Sequence, residues 1–208
     1  MRPKVKICGV TSPEDANRAA AAGADAIGMV CAAAGAARQI DVPQAVQISR
    51  ALPSFVMPVL LFADAGSEAV MSFLARIGAA MLQFHGRESA EFCCSFGRPY
   101  LKAVAVGSSD DVLAAERSHP DAAALVLDGR RGGSGTGFDW SAVPKPAQRS
   151  KDIIIAGGLN PQNVAAAIAA TDPYGVDVSS GVCQAGNPLR KDAQLVCQFV
   201  AAASSARA

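Results

Sequence analysis

Short runs of β-branched and other apolar residues alternate with alanine-rich amphipathic segments eight times along this chain of 208 residues. The short apolar runs predict strands at 5–8, 26–30, 57–61, 80–84, 100–104, 124–127, 153–156 and 175–178. The period-3.6 segments predict helices at 13–22, 42–51, 67–77, 88–96, 110–117, 161–170 and 192–203. Strand–helix units of about 20 to 30 residues each, with no domain-sized break, predict a parallel sheet covered by helices.

We therefore predict an α/β fold, a single (β/α)8 barrel domain of the TIM-barrel type spanning residues 1–208. The sixth unit is an exception, because the segment SAVPKPAQRS carries Pro144 and Pro146 and predicts only a short or broken helix. An open, doubly wound sheet is the alternative. That fold would be expected to carry a cofactor fingerprint, and the motifs do not favour it.

Composition excludes several classes of function. The net charge is +1 without a basic stripe, which argues against nucleic acid as a partner. No apolar run has membrane-spanning length, and the N-terminus has no signal-peptide core, so we expect a cytoplasmic protein without a membrane partner. The six cysteines form no C-x-x-C pair and only two histidines accompany them, so no metal site is predicted.

Polar residues are concentrated where the predicted strands end. Cys8 ends strand 1, Arg38 follows strand 2, His85 follows strand 4 and Asp128 ends strand 6. The carboxyl ends of all strands in a (β/α)8 barrel meet at one rim, which is where such barrels carry their active sites. The sequence therefore predicts one site at this rim.

Two glycine- and serine-rich turns after strands 7 and 8 predict a phosphate-binding site. Gly157 and Gly158 follow strand 7, and Ser179, Ser180 and Gly181 follow strand 8. Loops at these two positions commonly present backbone N–H groups to a phosphate, and glycine permits close approach of the backbone. We assign these five residues to substrate binding rather than to tight turns alone.

Strands 1 and 6 lie on either side of the two phosphate strands, so Cys8 and Asp128 would face a bound sugar phosphate from opposite sides. A thiol and a carboxyl in this arrangement predict general acid–base catalysis. The loop GGSGTG that follows Asp128 lacks the strand-to-helix turn of a dinucleotide fingerprint, and we interpret it as a lid over the site.

Strand alternation places further side chains inside the barrel. If Cys8 points into the barrel mouth, Lys6 points inward below it, and Asp177 points inward from strand 8. Because strands 8 and 1 are neighbours in a closed barrel, Lys6 and Asp177 are predicted to pair. We place Asp177 and His85 among the substrate-binding residues, and we favour a structural hydrogen-bonding role for His85 over that of a catalytic base.

The motifs KICGVT, LQFHG, LDGRRGGSGTGFDW, AGGLNPQNV and VDVSSGV, in this order, resemble the phosphoribosylanthranilate isomerase family of tryptophan biosynthesis. The resemblance spans nearly the whole chain. It implies a (β/α)8 barrel that acts without a cofactor on a small phosphosugar–anthranilate substrate. The implied reaction is the Amadori rearrangement of N-(5′-phosphoribosyl)anthranilate to 1-(2-carboxyphenylamino)-1-deoxyribulose 5-phosphate.

The resemblance also implies individual roles. Cys8 would be the general base and Asp128 the general acid, and Arg38 would bind the anthranilate carboxylate. Two departures from the family pattern stand out: the run AAAGAAR replaces the usual proline, lysine and serine before Arg38, and Cys183 replaces the usual glutamate after SSGV. The first departure is expected to soften the Arg38 loop and to weaken substrate affinity.

Two rival functions remain open from the sequence. The histidine-pathway isomerase performs the same rearrangement on a related barrel, but it uses a carboxylate on strand 1, so Cys8 favours the tryptophan-pathway reaction. A non-catalytic phosphosugar-binding barrel would need neither Cys8 nor Asp128. The sequence is compatible with either a monomer or a homodimer.

Overall fold

The computed structural model describes residues 2–129 and 138–206, in which eight parallel strands are hydrogen-bonded in sequential order and close into a barrel. The strands are β1 (Lys4–Ile7), β2 (Ala26–Ala33), β3 (Met57–Ala63), β4 (Met81–Phe84), β5 (Tyr100–Val106), β6 (Ala124–Gly129), β7 (Ile153–Ile155) and β8 (Gly175–Val178). The predicted (β/α)8 architecture is thereby confirmed. Closure occurs between β1 and β8, where Lys6 lies opposite Asp177 in the register.

Helices alternate with the strands on the outside of the barrel. They are α1 (Pro13–Ala21), α2 (Val42–Ala51), α3 (Ser67–Leu74), α4 (Ala90–Cys94), α5 (Ser109–Ser118), α6 (Val164–Thr171) and α7 (Ala193–Ser205). Capping explains where some of them begin. Ser12 accepts a hydrogen bond from Asp15 N, and Asp41 and Gln44 form a reciprocal capping box. No helix in the described part of the chain is both long enough and apolar enough to cross a membrane.

The sixth unit contains only two 3₁₀ turns, Trp140–Ala142 and Pro146–Gln148, so the prediction of a broken helix is confirmed. The fourth helix is shorter than the predicted 88–96. Glu88 belongs to the preceding loop, where its carboxylate accepts hydrogen bonds from the N–H groups of Asp64 and Gly86. Gly97, with φ +60, follows the helix.

Two apolar layers hold the barrel together. Alternate residues such as Leu125 and Leu127 point outward into the main core between strands and helices. Their neighbour Val126 points inward and packs with Val59 and Ile154 in a smaller cluster that fills the barrel. By the same alternation, the next inward-facing residue of β6 after Val126 is Asp128, which lies at the rim.

A two-stranded antiparallel hairpin, β9 (Cys183–Gln184) and β10 (Asn187–Lys191), follows β8 and was not predicted. Its strands are short, lack a period-two apolar pattern and contain Pro188, so the sequence gives only the turn glycine Gly186 as a signal. The hairpin lies against the β1 side of the rim, where Leu189 O accepts a hydrogen bond from the Thr11 hydroxyl.

Candidate active site

A cavity of about 580 Å³ opens at the carboxyl ends of the strands. Nine of the ten residues that the sequence assigns to the site line it: Cys8, Arg38, His85, Asp128, Gly157, Gly158, Asp177, Ser179 and Ser180. Gly181 is the exception. It lies behind the cavity wall, where a side chain would collide with Leu159 O, so its glycine lets the β8 loop pack against the β7 loop.

Lys6 and Asp177 form a buried ion pair beneath Cys8. The lysine Nζ lies 2.9 Å from Asp177 Oδ2, so the predicted pairing is confirmed. Burial lowers the pKa of Lys6, but the charges of Asp177 and of the Cys8 sulfur raise it, and the net pKa lies above its ordinary value. A buried cation therefore lies next to the thiol.

Gly28 on β2 makes room for this arrangement, although no pattern in the sequence distinguishes it as a site residue. A Cβ at Gly28 would lie 2.8 Å from Cys8 Sγ and 2.9 Å from Lys6 Nζ. The thiol and the ammonium group therefore rest against the same stretch of backbone, and any larger residue would displace them.

Asp128 is held by its own backbone and faces His85 across the cavity. Its Oδ1 accepts a hydrogen bond from Gly129 N at 2.7 Å, and its Oδ2 lies 3.7 Å from His85 Nε2. Gly157 has φ +73, and a side chain there would collide with Asp128 Oδ1. Gly157 therefore gives the carboxyl group its space, in addition to any contact with phosphate.

His85 is in turn contacted by Gln83, a fully buried residue that the sequence analysis did not select. Gln83 Nε2 lies 3.4 Å from His85 Nδ1, and with the amide donating there, the ring proton lies on Nε2, toward Asp128. Burial lowers the pKa of His85, partly opposed by Asp128, and Lys6 lowers it further, so the ring is neutral at neutral pH. Gln83 and His85 share a strand face, which is the signal in LQFHG that could have revealed it.

Arg38 lies on the opposite wall, directly over Gly9. A Cβ at Gly9, whose φ is +67, would lie 2.6 Å from Arg38 Nε and 3.0 Å from Ser179 Oγ. Arg38 Nη1 also donates to Pro188 O at 3.4 Å. The altered loop before Arg38 thus brings the guanidinium group to the cavity beside the β8 loop, and the alanines at 33–37 form an apolar wall next to it.

The two predicted phosphate loops meet at the rim. Gly157 and Gly158 both have positive φ, at +73 and +67, which glycine adopts readily. The Ser179 hydroxyl donates to Cys8 O at 2.9 Å and so joins the β8 loop to the thiol-bearing end of β1. The predicted lid, the loop GGSGTG at residues 132–137, lies outside the described residues.

A thiol and a carboxyl that face one cavity, next to two phosphate-type loops at the rim of a (β/α)8 barrel, are typical of enzymes that isomerise phosphosugars by acid–base catalysis. A family model described as N-(5′-phosphoribosyl)anthranilate (PRA) isomerase matches residues 5–202. The N-(5′-phosphoribosyl)anthranilate isomerase of Cellvibrio japonicus (strain Ueda107) is 46% identical over 208 residues, covering 98% of this chain and 94% of that protein. The chain belongs to the N-(5′-phosphoribosyl)anthranilate isomerase family.

Solved structures agree with this assignment. A crystal structure of phosphoribosyl anthranilate isomerase in complex with reduced 1-(o-carboxyphenylamino)-1-deoxyribulose 5-phosphate superposes with a TM-score of 0.84 at 34% identity, covering 97% of this chain and 98% of that one. A structure of monomers of the dimeric enzyme from Thermotoga maritima gives a TM-score of 0.83 at 33% identity, with the same coverage.

Proposed function

We propose that this chain converts N-(5′-phosphoribosyl)anthranilate to 1-(2-carboxyphenylamino)-1-deoxyribulose 5-phosphate, with Cys8 as general base and Asp128 as general acid. The observation that carries the proposal is that Cys8 and Asp128 line one cavity together with Gly158 and Ser180 of the two phosphate-type loops. Family membership gives the reaction, and the geometry supports the roles of these residues.

The first step is the opening of the ribose ring. Asp128, as a carboxylic acid, donates its proton to the furanose ring oxygen while the C1–O bond breaks and the anthranilate nitrogen forms the Schiff base. Gly129 N–H and the His85 ring stabilise the carboxylate that this step leaves behind, since both are donors aimed at its two oxygens.

The second step is the removal of the proton from C2 of the sugar. Cys8 performs it as a thiolate, and the Lys6 ammonium group next to it stabilises negative charge on the sulfur. The enolamine that results then tautomerises, so that the C2 hydroxyl loses a proton and C1 gains one. Substrate and product are isomers, and both enzyme groups return to their starting protonation states.

Binding groups hold the substrate between these two residues. Backbone N–H groups of the loops at Gly157–Gly158 and Ser179–Ser180 receive the phosphate, and Arg38 pairs with the anthranilate carboxylate. Asp177 holds Lys6 in place beneath the thiol. No cofactor takes part in the proposed reaction.

Turnover tests the proposal directly. The purified chain is mixed with phosphoribosylanthranilate and the fluorescence change on its consumption is followed, in parallel with an assay on the histidine-pathway substrate. We expect turnover of the first substrate. Turnover of only the second would reassign the pathway, and binding of phosphate esters without any turnover would favour a non-catalytic phosphosugar-binding protein.

The proposal leaves monomer and homodimer open, although one similar structure is described as that of a dimeric enzyme. Light scattering coupled to size-exclusion chromatography distinguishes the two states. The proposal also places the enzyme in the cytoplasm, which cell fractionation tests.

A further inference from the structure

Lys191, at the end of the hairpin strand β10, is buried directly behind the β8 loop. Only 2% of the residue is exposed. Its Nζ donates to Ser179 O at 3.0 Å and lies 3.5 Å from Cys183 Sγ. It contacts the phosphate-type loop without lining the cavity, and the catalytic scheme above does not use it.

The charge environment of Lys191 differs from that of the two other buried lysines. Lys6 contacts the Asp177 carboxylate at 2.9 Å, and Lys102 contacts the Glu88 carboxylate at 3.0 Å. Within the described residues, no carboxylate is in ion-pair contact with Lys191, and Cys183 occupies the place next to its ammonium group.

Burial without a carboxylate partner has an energetic consequence. Burial is the largest influence on the pKa of Lys191 and lowers it. The sulfurs of Cys183 and Cys8 raise it and Arg38 lowers it, and the net pKa lies below its ordinary value. A buried cation is costly unless an anion compensates it. The cavity lined by Ser179 and Ser180 offers a place where a mobile anion could compensate this charge.

The Ser179–Ser180 peptide links Lys191 to that anion. Peptide groups are planar and trans, so the Ser179 carbonyl and the Ser180 N–H point in opposite directions. Lys191 Nζ donates to this carbonyl at 3.0 Å, together with Val182 N–H at 3.5 Å and Cys183 Sγ at 3.4 Å, which directs the Ser180 N–H away from these donors. Ser180 lines the cavity, so the N–H group that Lys191 helps to orient belongs to one of the proposed phosphate-binding residues.

We propose that Lys191 is a positioning residue for the phosphate group of the ligand: it orients the Ser179–Ser180 peptide and supplies a buried positive charge that Cys183 leaves for the phosphate to compensate. This inference rests on the proposed function for the identity of the substrate. The binding of a phosphate anion itself, however, can be measured without turnover.

The first measurement is the Kd of inorganic phosphate, by calorimetry at low ionic strength. Lys191→Met should raise this Kd by about 10-fold or more, and it should raise KM far more than it lowers kcat. Lys145→Met is the control, because Lys145 is exposed and does not line the cavity, and it should leave the phosphate Kd unchanged. A Kd for Lys191→Met within twofold of the wild-type value would overturn the proposal.

A second pair of variants keeps Lys191 and so avoids dependence on the folding of Lys191→Met. Cys183→Glu brings a carboxylate next to the ammonium group, whereas Cys183→Gln has the same size without the charge. Cys183→Glu should bind phosphate about 3- to 10-fold more weakly than Cys183→Gln. Its phosphate Kd should also change less with salt concentration. Equal affinities in the two variants would contradict the proposed role of the charge.

The outcomes separate this inference from the proposed function. A chain whose phosphate affinity depends on Lys191 but which does not isomerise phosphoribosylanthranilate would refute only the function. The inference alone would be refuted if the chain isomerises phosphoribosylanthranilate normally and its phosphate affinity changes neither with Lys191→Met nor with the charge at position 183.

Discussion

Lys6 and Asp177 face each other across the seam where the barrel closes, with the lysine Nζ 2.9 Å from Asp177 Oδ2 and both side chains less than one-tenth exposed. The register of β1 and β8 places the two residues directly opposite one another. The pair therefore joins the first strand to the last and at the same time holds a cation beneath Cys8. One ion pair serves both the closure of the fold and the electrostatics of the site.

Removing one partner should be strongly destabilising. Lys6→Met leaves the Asp177 carboxylate buried without its cation, and loss of a single partner from a buried pair costs about 3–5 kcal/mol. Lys4→Met is the matched control on the same strand, because Lys4 is 45% exposed in its ion pair with Asp25 and should contribute less than about 1 kcal/mol. Urea denaturation of wild type and the two variants measures the free energy of unfolding. Equal losses in the two variants would show that the buried pair stabilises the fold no more than the exposed one.

The same pair should give stability that disappears at high pH. The pKa of Lys6 is raised in the folded protein above its ordinary value of 10.5. The folded state therefore holds its proton more tightly, and this contribution is complete below pH 10.5 and is lost as the pH rises through the folded-state pKa. The stability difference between wild type and Lys6→Met should be flat from about pH 7 to 9 and shrink above about pH 10.5. If the stability difference between wild type and Lys6→Met instead grows above about pH 10.5, the predicted direction of the pH dependence is wrong.

The Lys6–Asp177 pair also shows what the sequence can predict. Strand alternation fixed which residues of β1 and β8 point inward, and closure of an eight-stranded parallel sheet made the two strands neighbours. Strand alternation and the closure of the barrel were together enough to predict this ion pair. The same rule brought Cys8 and Asp128 to one rim, although 120 residues separate them in the chain.

Contacts that depend on side-chain reach could not be predicted in this way. His85 directly follows β4 and Asp128 lies on β6, and because these strands are not adjacent, the two side chains meet only across the barrel mouth. The sequence shows no carboxylate beside His85 and therefore favours a structural hydrogen-bonding role over that of a catalytic base. Lys191 was missed for another reason, since it belongs to a short hairpin that has no periodic apolar pattern.

The proposed acid and base can be tested one at a time. Cys8→Ala and Asp128→Ala should each lower kcat by roughly two to four orders of magnitude, because each removes a proposed proton-transfer group. The Kd for inorganic phosphate should change far less, since neither side chain belongs to the phosphate loops. Cys94→Ala is a suitable control because its thiol is exposed on α4. Near-normal turnover by either site variant would overturn the assignment of its role.

Arg38 should act on substrate binding rather than on chemistry. Arg38→Ala removes the proposed partner of the anthranilate carboxylate, so KM should rise while kcat changes little. Gly9→Ala should reproduce part of this effect, because the new Cβ would lie 2.6 Å from Arg38 Nε and push the guanidinium group aside.

Gly97→Ala is the control that distinguishes displacement of the Arg38 guanidinium group from the backbone strain that any alanine at a positive φ introduces. Gly97 also has positive φ, at +60, but no atom lies within 4 Å of its added Cβ. Both alanine variants should lose roughly 1 kcal/mol of stability to left-handed strain, whereas only Gly9→Ala should raise KM. An unchanged KM for Arg38→Ala would mean that the alanine-rich loop does not deliver the guanidinium group to the substrate.

His85 should support Asp128 without itself transferring a proton. His85→Gln removes the Nε2–H donor that faces Asp128 Oδ2, so kcat should fall by about 10- to 100-fold, less than for loss of the acid. Gln83→Leu should cause a smaller loss, because it frees the ring from the contact that sets its tautomer. Steady-state kinetics at neutral pH measures both effects.

His119 provides the control that distinguishes this role from a general effect of burying a histidine. Burial is the main cause that lowers the pKa of His85 and of His119, so each imidazole gives stability that is complete above pH 6.5 and is lost as the pH falls below it. His85→Gln and His119→Gln should therefore both reduce the acid-induced loss of stability. Only the His85 variant should lower kcat, because His119 contacts Tyr100 rather than a residue of the cavity. If both variants lower kcat equally, the loss reflects the barrel as a whole and not the support of Asp128.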